Sequence, residues 1–149
     1  MPPCVVQVEK AGGNCSYLDQ AMSSFHATGK SLELQPTTKE IEFLQIDVAM
    51  VATGVMRQAE VWKHDYGEAL YNYSTILYHK LAARFTLLEE NIGSDTSDID
   101  SLKFVLNVVA EIKGIVQETE LEIADITERY RTLKRYDIPV PKEEMDVCF

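Results

Sequence analysis

The chain has 149 residues, a net charge of −10, 46% apolar and 26% charged side chains. One domain at most fits that length, and the ordinary apolar content excludes gross disorder. The acidic balance excludes the basic face that a nucleic-acid or anionic-membrane surface needs, and no apolar run approaches the ~18 residues of a membrane span.

The short apolar patch Met1–Val8 lacks the basic flank and length of a signal peptide. Cys4, Cys15 and Cys148 are odd in number, lie near the two ends and show no C-x-x-C spacing, so they suggest neither a disulfide framework nor a zinc site. A reducing cytoplasmic compartment is therefore expected. Residues 1–36 carry Pro2, Pro3, Gly12, Gly13, Gly29 and Pro36 among Ser, Asn and Gln. That density of turn formers predicts an irregular or flexible segment with one short helix around Tyr17–Phe25.

The character changes at Thr37. Thr37 and Glu40 have capping-box spacing, Asp47 is a competing N-cap, and Ile41–Ile46 suits either a helix or an extended strand. From Val48 the helical pattern is stronger. Val48, Val51, Val55, Ala59, Trp62, Tyr66, Leu70, Tyr73, Leu77, Leu81, Phe85, Leu88 and Ile92 recur with a mean step of about 3.7 residues, close to the α-helical period. Gly67 leaves the phase undisturbed, and its cost of about 1 kcal/mol is one that a long packed stripe absorbs. A single helix through Gly67 is expected.

Gly93–Asp98 is both a stop and a start. Gly93 suits the left-handed conformation that ends a helix, and Ser94, Asp95, Thr96 and Ser97 offer N-caps for the next. The second stripe runs Ile99, Leu102, Leu106, Val109, Ile112, Val116, Thr119, Ile123, Ile126, Tyr130 and Leu133. Its mean step is about 3.4, nearer the coiled-coil value of about 3.5. Val105, Val108 and Ile115 widen it, so that a hairpin would leave them without a partner. Pro139 and Pro141 are expected to end the helix.

A short loop between two long helices predicts an antiparallel αα-hairpin, with arms of roughly 40 residues and about 60 Å. The expected fold class is all-α: two long antiparallel amphipathic helices forming a segment of a larger helical bundle. The division is 1–36 irregular, 37–138 helical hairpin, and 139–149 a further segment.

Motifs for chemistry are weak. Gly29-Lys30-Ser31 resembles the end of a phosphate-binding loop, but Ser24 stands where the first glycine belongs and no βαβ unit surrounds it; a polar loop ahead of Thr37 is the plainer reading. Glu60 and His64 have the i,i+4 spacing of half a metal site, with no second pair to complete it. Glu111, Glu118, Glu120, Glu122, Asp125 and Glu128 read as a solvated face or a surface docking a basic neighbour. Tyr66 and Tyr73 fall in the apolar stripe, whereas Tyr71 and Tyr78 leave it. Neither a Ser/His/Asp nor a Cys/His arrangement stands out, so no catalytic, cofactor or metal site is expected.

Glu128-Arg129-Tyr130-Arg131-Thr132-Leu133, followed by Tyr136, resembles the ERYRTL-x-x-Y segment of dynein heavy chains. Trp62 with Tyr66, Gly67 and Leu70 resembles the W-x-x-x-Y-G-x-x-L pattern of the same tails. Leu102, Val105, Leu106 and Ile112 resemble the L-x-x-V-L and following isoleucine. The likeness covers about residues 41–145 and is nearer to axonemal than to cytoplasmic heavy chains. It implies a non-catalytic tail segment of a microtubule-based motor, just before the linker, with 139–149 as a truncated start of that linker. The implied partners are other tail helices and the dynein intermediate, light intermediate and light chains, with neither nucleic acid nor membrane. The implied location is the cytoplasm or cytoskeleton, specifically the cilium axoneme. The nine family-motif residues, Trp62, Tyr66, Gly67, Leu70, Glu128, Arg129, Tyr130, Leu133 and Tyr136, would have structural roles. The alternative is an independent coiled-coil or adaptor module that self-associates through its apolar stripes. A four-helix enzyme or metal carrier formed by self-association is a more distant alternative.

Overall fold

The computed structural model describes residues 14–93 and 98–141. In chain order these form helix α1 (Cys15–Glu33), strands β1 (Thr38–Ile41) and β2 (Leu44–Asp47) of one antiparallel hairpin, and helices α2 (Ala49–Ile92) and α3 (Ile99–Arg135). The fold is all-α, with the expected αα-hairpin made by α2 and α3. Among the described residues the contacts divide the chain into two compact units, 14–71 with 132–139, and 72–93 and 98–131 with 140–141.

In the first unit, α1 replaces most of the expected loop. Asn14 caps it, its side-chain oxygen accepting from Ser16 N at 3.0 Å and Tyr17 N at 3.3 Å. Leu18 and Met22, one turn apart, are fully buried and give the helix a packed face. Turn-former density misled here because Gly29 lies in open space and is simply carried within the helix. The Gly29-Lys30-Ser31 run is therefore helical, neither a phosphate cradle nor a loop.

The region expected to begin the long helix at Thr37 holds the β-hairpin instead, realising the extended reading of Ile41–Ile46. Glu42 in its turn has φ 55°. Asp47 then starts α2, its Oδ1 accepting from Ala49 N at 2.8 Å. Helix α2 runs unbroken through Gly67 to Ile92.

In the second unit, the later half of α2 and most of α3 run antiparallel. Arg84 bonds to Thr119 and Glu122, while Phe85, Leu88 and Ile92 share a groove with Ile112. Gly93 does not take the left-handed turn; its N–H keeps a helical bond to Glu89 O at 2.9 Å. The caps expected at Ser94–Ser97 lie outside the described residues. Asp98 occupies the boundary, its carboxylate accepting from Ile99 N at 2.8 Å.

The face of α3 that packs differs from the expected stripe. Val108, Thr119 and Ile126 are buried and Val105, Ile112 and Ile115 half-buried, whereas Leu102, Leu106, Val116 and Ile123 are exposed. The residues expected to lack a partner are thus buried or half-buried. The reason is geometric: on a straight helix of 3.6 residues per turn, a 3.4-residue stripe winds about half a turn around the axis over its length.

Helix α3 stops before its prolines. Asp137 adopts φ 56°, Asp137 N donates to Lys134 O at 3.3 Å, and Ile138 N donates to Leu133 O at 3.1 Å. This bond pair is a Schellman cap, with Leu133 and Ile138 as its apolar residues. Pro139 follows an end already made.

Candidate functional site

The motif residues of the first unit converge on one packed cluster. Helix α2 presents Trp62, Tyr66, Gly67 and Leu70 at steps of three or four, which sets them along one face. Tyr66 and Gly67 are buried and Leu70 is fully so. Phe25 of α1 lies against both aromatic rings, with centroids 5.4 Å from Trp62 and 5.7 Å from Tyr66. Such tilted aromatic pairs contribute about 0.5–1.5 kcal/mol beyond the area they bury.

Gly67 has a packing role. A Cβ there would lie 2.6 Å from both Cδ1 and Cγ1 of Ile138. Only glycine lets the chain leaving α3 approach α2 so closely. The Schellman cap and Gly67 thus act on the same residue, one fixing the Ile138 backbone and the other leaving room for its side chain.

Leu133 is fully buried in this unit, and Tyr136 nearly so. The Tyr136 hydroxyl donates to Asp19 Oδ1 at 2.9 Å, tying α1 to the end of α3. Burial, then the hydrogen bond to Asp19, push the Tyr136 phenol above its ordinary value. His26 meets the Tyr136 ring edge-on at 6.2 Å. Arg135 also reaches Asp19, at 3.3 Å, but on the surface, where such a pair contributes little.

The remaining motif residues belong to the second unit. Tyr130 is fully buried. Arg129 is nearly buried and its Nε donates to Asp125 Oδ2 at 2.8 Å, one helical turn back. Glu128 faces solvent and pairs loosely with Arg131 at 3.7 Å. What the arrangement offers chemically is cohesion. Its polar groups are engaged with neighbouring side chains, Tyr136 with Asp19 and Arg129 with Asp125.

No protein-family model matches the chain. Two curated proteins align along most of it. Dynein axonemal heavy chain 10 of Homo sapiens is 25% identical over 146 residues, 98% of this chain and 3% of that protein. The Dynein-1-alpha heavy chain, flagellar inner arm I1 complex, of Chlamydomonas reinhardtii is 22% identical over 131 residues, 88% of this chain and 3% of its own length. The chain is thus similar to axonemal dynein heavy chains. It spans about 3% of the length of the curated relatives it matches.

Among the described residues no catalytic domain is evident. Glu60 is drawn to Lys63 at 2.6 Å rather than to His64, and the described residues include no group of three metal-binding side chains. No described helix is long and apolar enough to cross a membrane. Of the tyrosines, Tyr66 is buried, while Tyr71, Tyr73 and Tyr78 are half-buried. Sequence reasoning missed Asp19, Phe25 and His26, the contribution of α1. Their signal was present in the steps Leu18, Met22, Phe25 after the cap Asn14, but it was outweighed by the glycines and prolines around it.

Proposed function

We propose that this chain is a non-catalytic structural segment of a dynein heavy-chain tail, connecting the part that binds accessory chains and anchors the complex to the motor linker. Alignment of nearly the whole chain with an axonemal heavy chain carries the reading. The cluster around Tyr66, Leu70, Leu133 and Tyr136 supports a role through rigidity, since these residues hold helices together and expose no reactive group. On this reading, its partners are neighbouring tail helices and, through the assembled tail, the intermediate, light intermediate and light chains. Its place is the axoneme of a cilium or flagellum, within a microtubule-based motor complex.

The reading is tested by proline at Val109 in a full heavy chain. Proline inside a helix removes a backbone bond and costs about 3 kcal/mol or more. Tail assembly and microtubule gliding should fail, while ATP hydrolysis by the distant motor persists. Glu118→Gln, on the exposed face, should leave all three intact. Intact assembly and gliding in Val109→Pro, or loss of ATP turnover in Glu118→Gln, would overturn the proposal.

One observation favours the alternative of a self-associating module: Leu102, Leu106, Val116 and Ile123 form an exposed apolar side of α3. Sedimentation of the chain distinguishes the two. A concentration-dependent dimer abolished by Leu106→Lys would favour the module over the strut.

A further inference from the structure

The β-hairpin has a feature that neither helix packing nor the tail reading accounts for. Its register pairs Thr38 with Asp47, Lys39 with Ile46, Glu40 with Gln45 and Ile41 with Leu44. Paired residues share a face and successive residues alternate. One face therefore carries Lys39, Ile41, Leu44 and Ile46, and the other Thr38, Glu40, Gln45 and Asp47. All eight strand residues are exposed. Leu44 is 55% accessible, and Phe43 in the turn is 88% accessible. A two-stranded hairpin with an uncovered apolar face is marginal in water.

The backbone is available too. Val48 N donates to Thr37 O at 2.8 Å. By the alternation of an antiparallel ladder, Lys39–Ile46 and Ile41–Leu44 are the bonded pairs, and Gln45 turns its N–H and C=O away from β1. The sheet has two strands, so no described strand meets that edge.

Charge identifies the occupant. A residue placed opposite Gln45 on an added strand would lie on the face holding Glu40 and Asp47, and a long cation there would reach the diagonal Asp47 while Glu40, one strand further on, adds to the acidic field. Its neighbours would fall on the apolar face, beside Leu44 and Ile46. A second copy of this chain fits worse. Pairing β2 with its twin about Gln45 would bring two Glu40 and two Asp47 side chains to one face, while Lys39 lies on the other. That pairing places no cation on the acidic face.

We propose that the free edge of β2 accepts one extended strand from a partner protein, with side chains alternating apolar and basic. The main chain of that strand bonds to Gln45, and its apolar residues cover Leu44 and Ile46. This inference stands independently of the tail reading.

The test uses the 149-residue chain and a fluorescent peptide of alternating valine and lysine, read by anisotropy. Two control peptides replace lysine with glutamate or carry N-methyl groups on the amides facing the edge. The valine–lysine peptide should bind about tenfold or more tightly than the glutamate version, and N-methylation should abolish binding. Leu44→Lys, at an exposed position, should weaken binding while the helical circular dichroism signal is unchanged. No binding, equal binding of the basic and acidic peptides, or binding that survives N-methylation would overturn the proposal. So would self-association of the chain that Leu44→Lys dissolves.

Discussion

The two units are made largely from the same two long helices, yet they pack very differently. In the first, three separate segments meet: α1, the early half of α2, and the end of α3 with its cap. They bury Leu18, Met22, Tyr66, Leu70, Leu133, Tyr136 and Ile138. In the second, two helices lie side by side and bury little beyond Ser74, Val108, Thr119, Ile126, Arg129 and Tyr130 among the described residues, leaving Leu87, Leu102, Leu106 and Val116 accessible. A helix in a two-helix hairpin covers one stripe, and a third segment is needed to close a core around it. The contrast therefore lies in how many segments meet, since apolar residues are plentiful in both units.

The largest expected effect that sharpens this contrast comes from paired truncations. Leu70→Ala removes a fully buried side chain and should destabilise the chain by about 2–5 kcal/mol. Leu106→Ala, at a position 58% accessible, should stay within about 0.5 kcal/mol. Urea titration followed by helical circular dichroism checks both, and equal costs would break the comparison.

A smaller effect is expected at Tyr136. Its phenol lies above the ordinary value of 10.0 in the folded chain, so folding favours the neutral form. The corresponding stability is fully present below pH 10 and is lost as pH rises through the folded value. Tyr136→Phe removes the bond to Asp19 and should cost about 1 kcal/mol near neutrality, with the difference from the parent chain narrowing in strong alkali. Denaturant midpoints measured across that range check it. A gap that widens with pH would contradict the assigned cause.

The long helices were legible because their apolar residues repeat over many turns, and Tyr66, Leu70 and Leu133 fell on the expected stripes. The residues resembling the dynein pattern were legible for a different reason, as a short run of residue types rather than a period. Helix α1 was legible only as a short helix around Tyr17–Phe25, its later part hidden by punctuation: Gly29 and Pro36 weighed as turn signals, although the first sits inside the helix and the second lies beyond its end. The β-hairpin was one of two readings of Ile41–Ile46, because a short apolar run fits either period. The roles of Gly67 and Asp137 were out of reach. Each depends on Ile138 returning to α2, a tertiary approach that local sequence does not encode. The packed face of α3 was displaced for a subtler reason, since its apolar residues occupy two faces and a single stripe drawn through them crosses from one to the other.

The central claim is that the helical cluster around Leu70 in the first unit is a closed core, whereas the helix pair of the second unit leaves apolar surface open. Hydrogen exchange of backbone amides in the isolated chain tests it most directly, because protection reports the local cost of opening. Amides of Trp62–Leu70 and Leu133–Tyr136 are expected to exchange at least about tenfold more slowly than those of Leu81–Leu88 and Leu102–Ile112, a difference of about 1.4 kcal/mol. Equal protection across both sets, or slower exchange in the second, would contradict it.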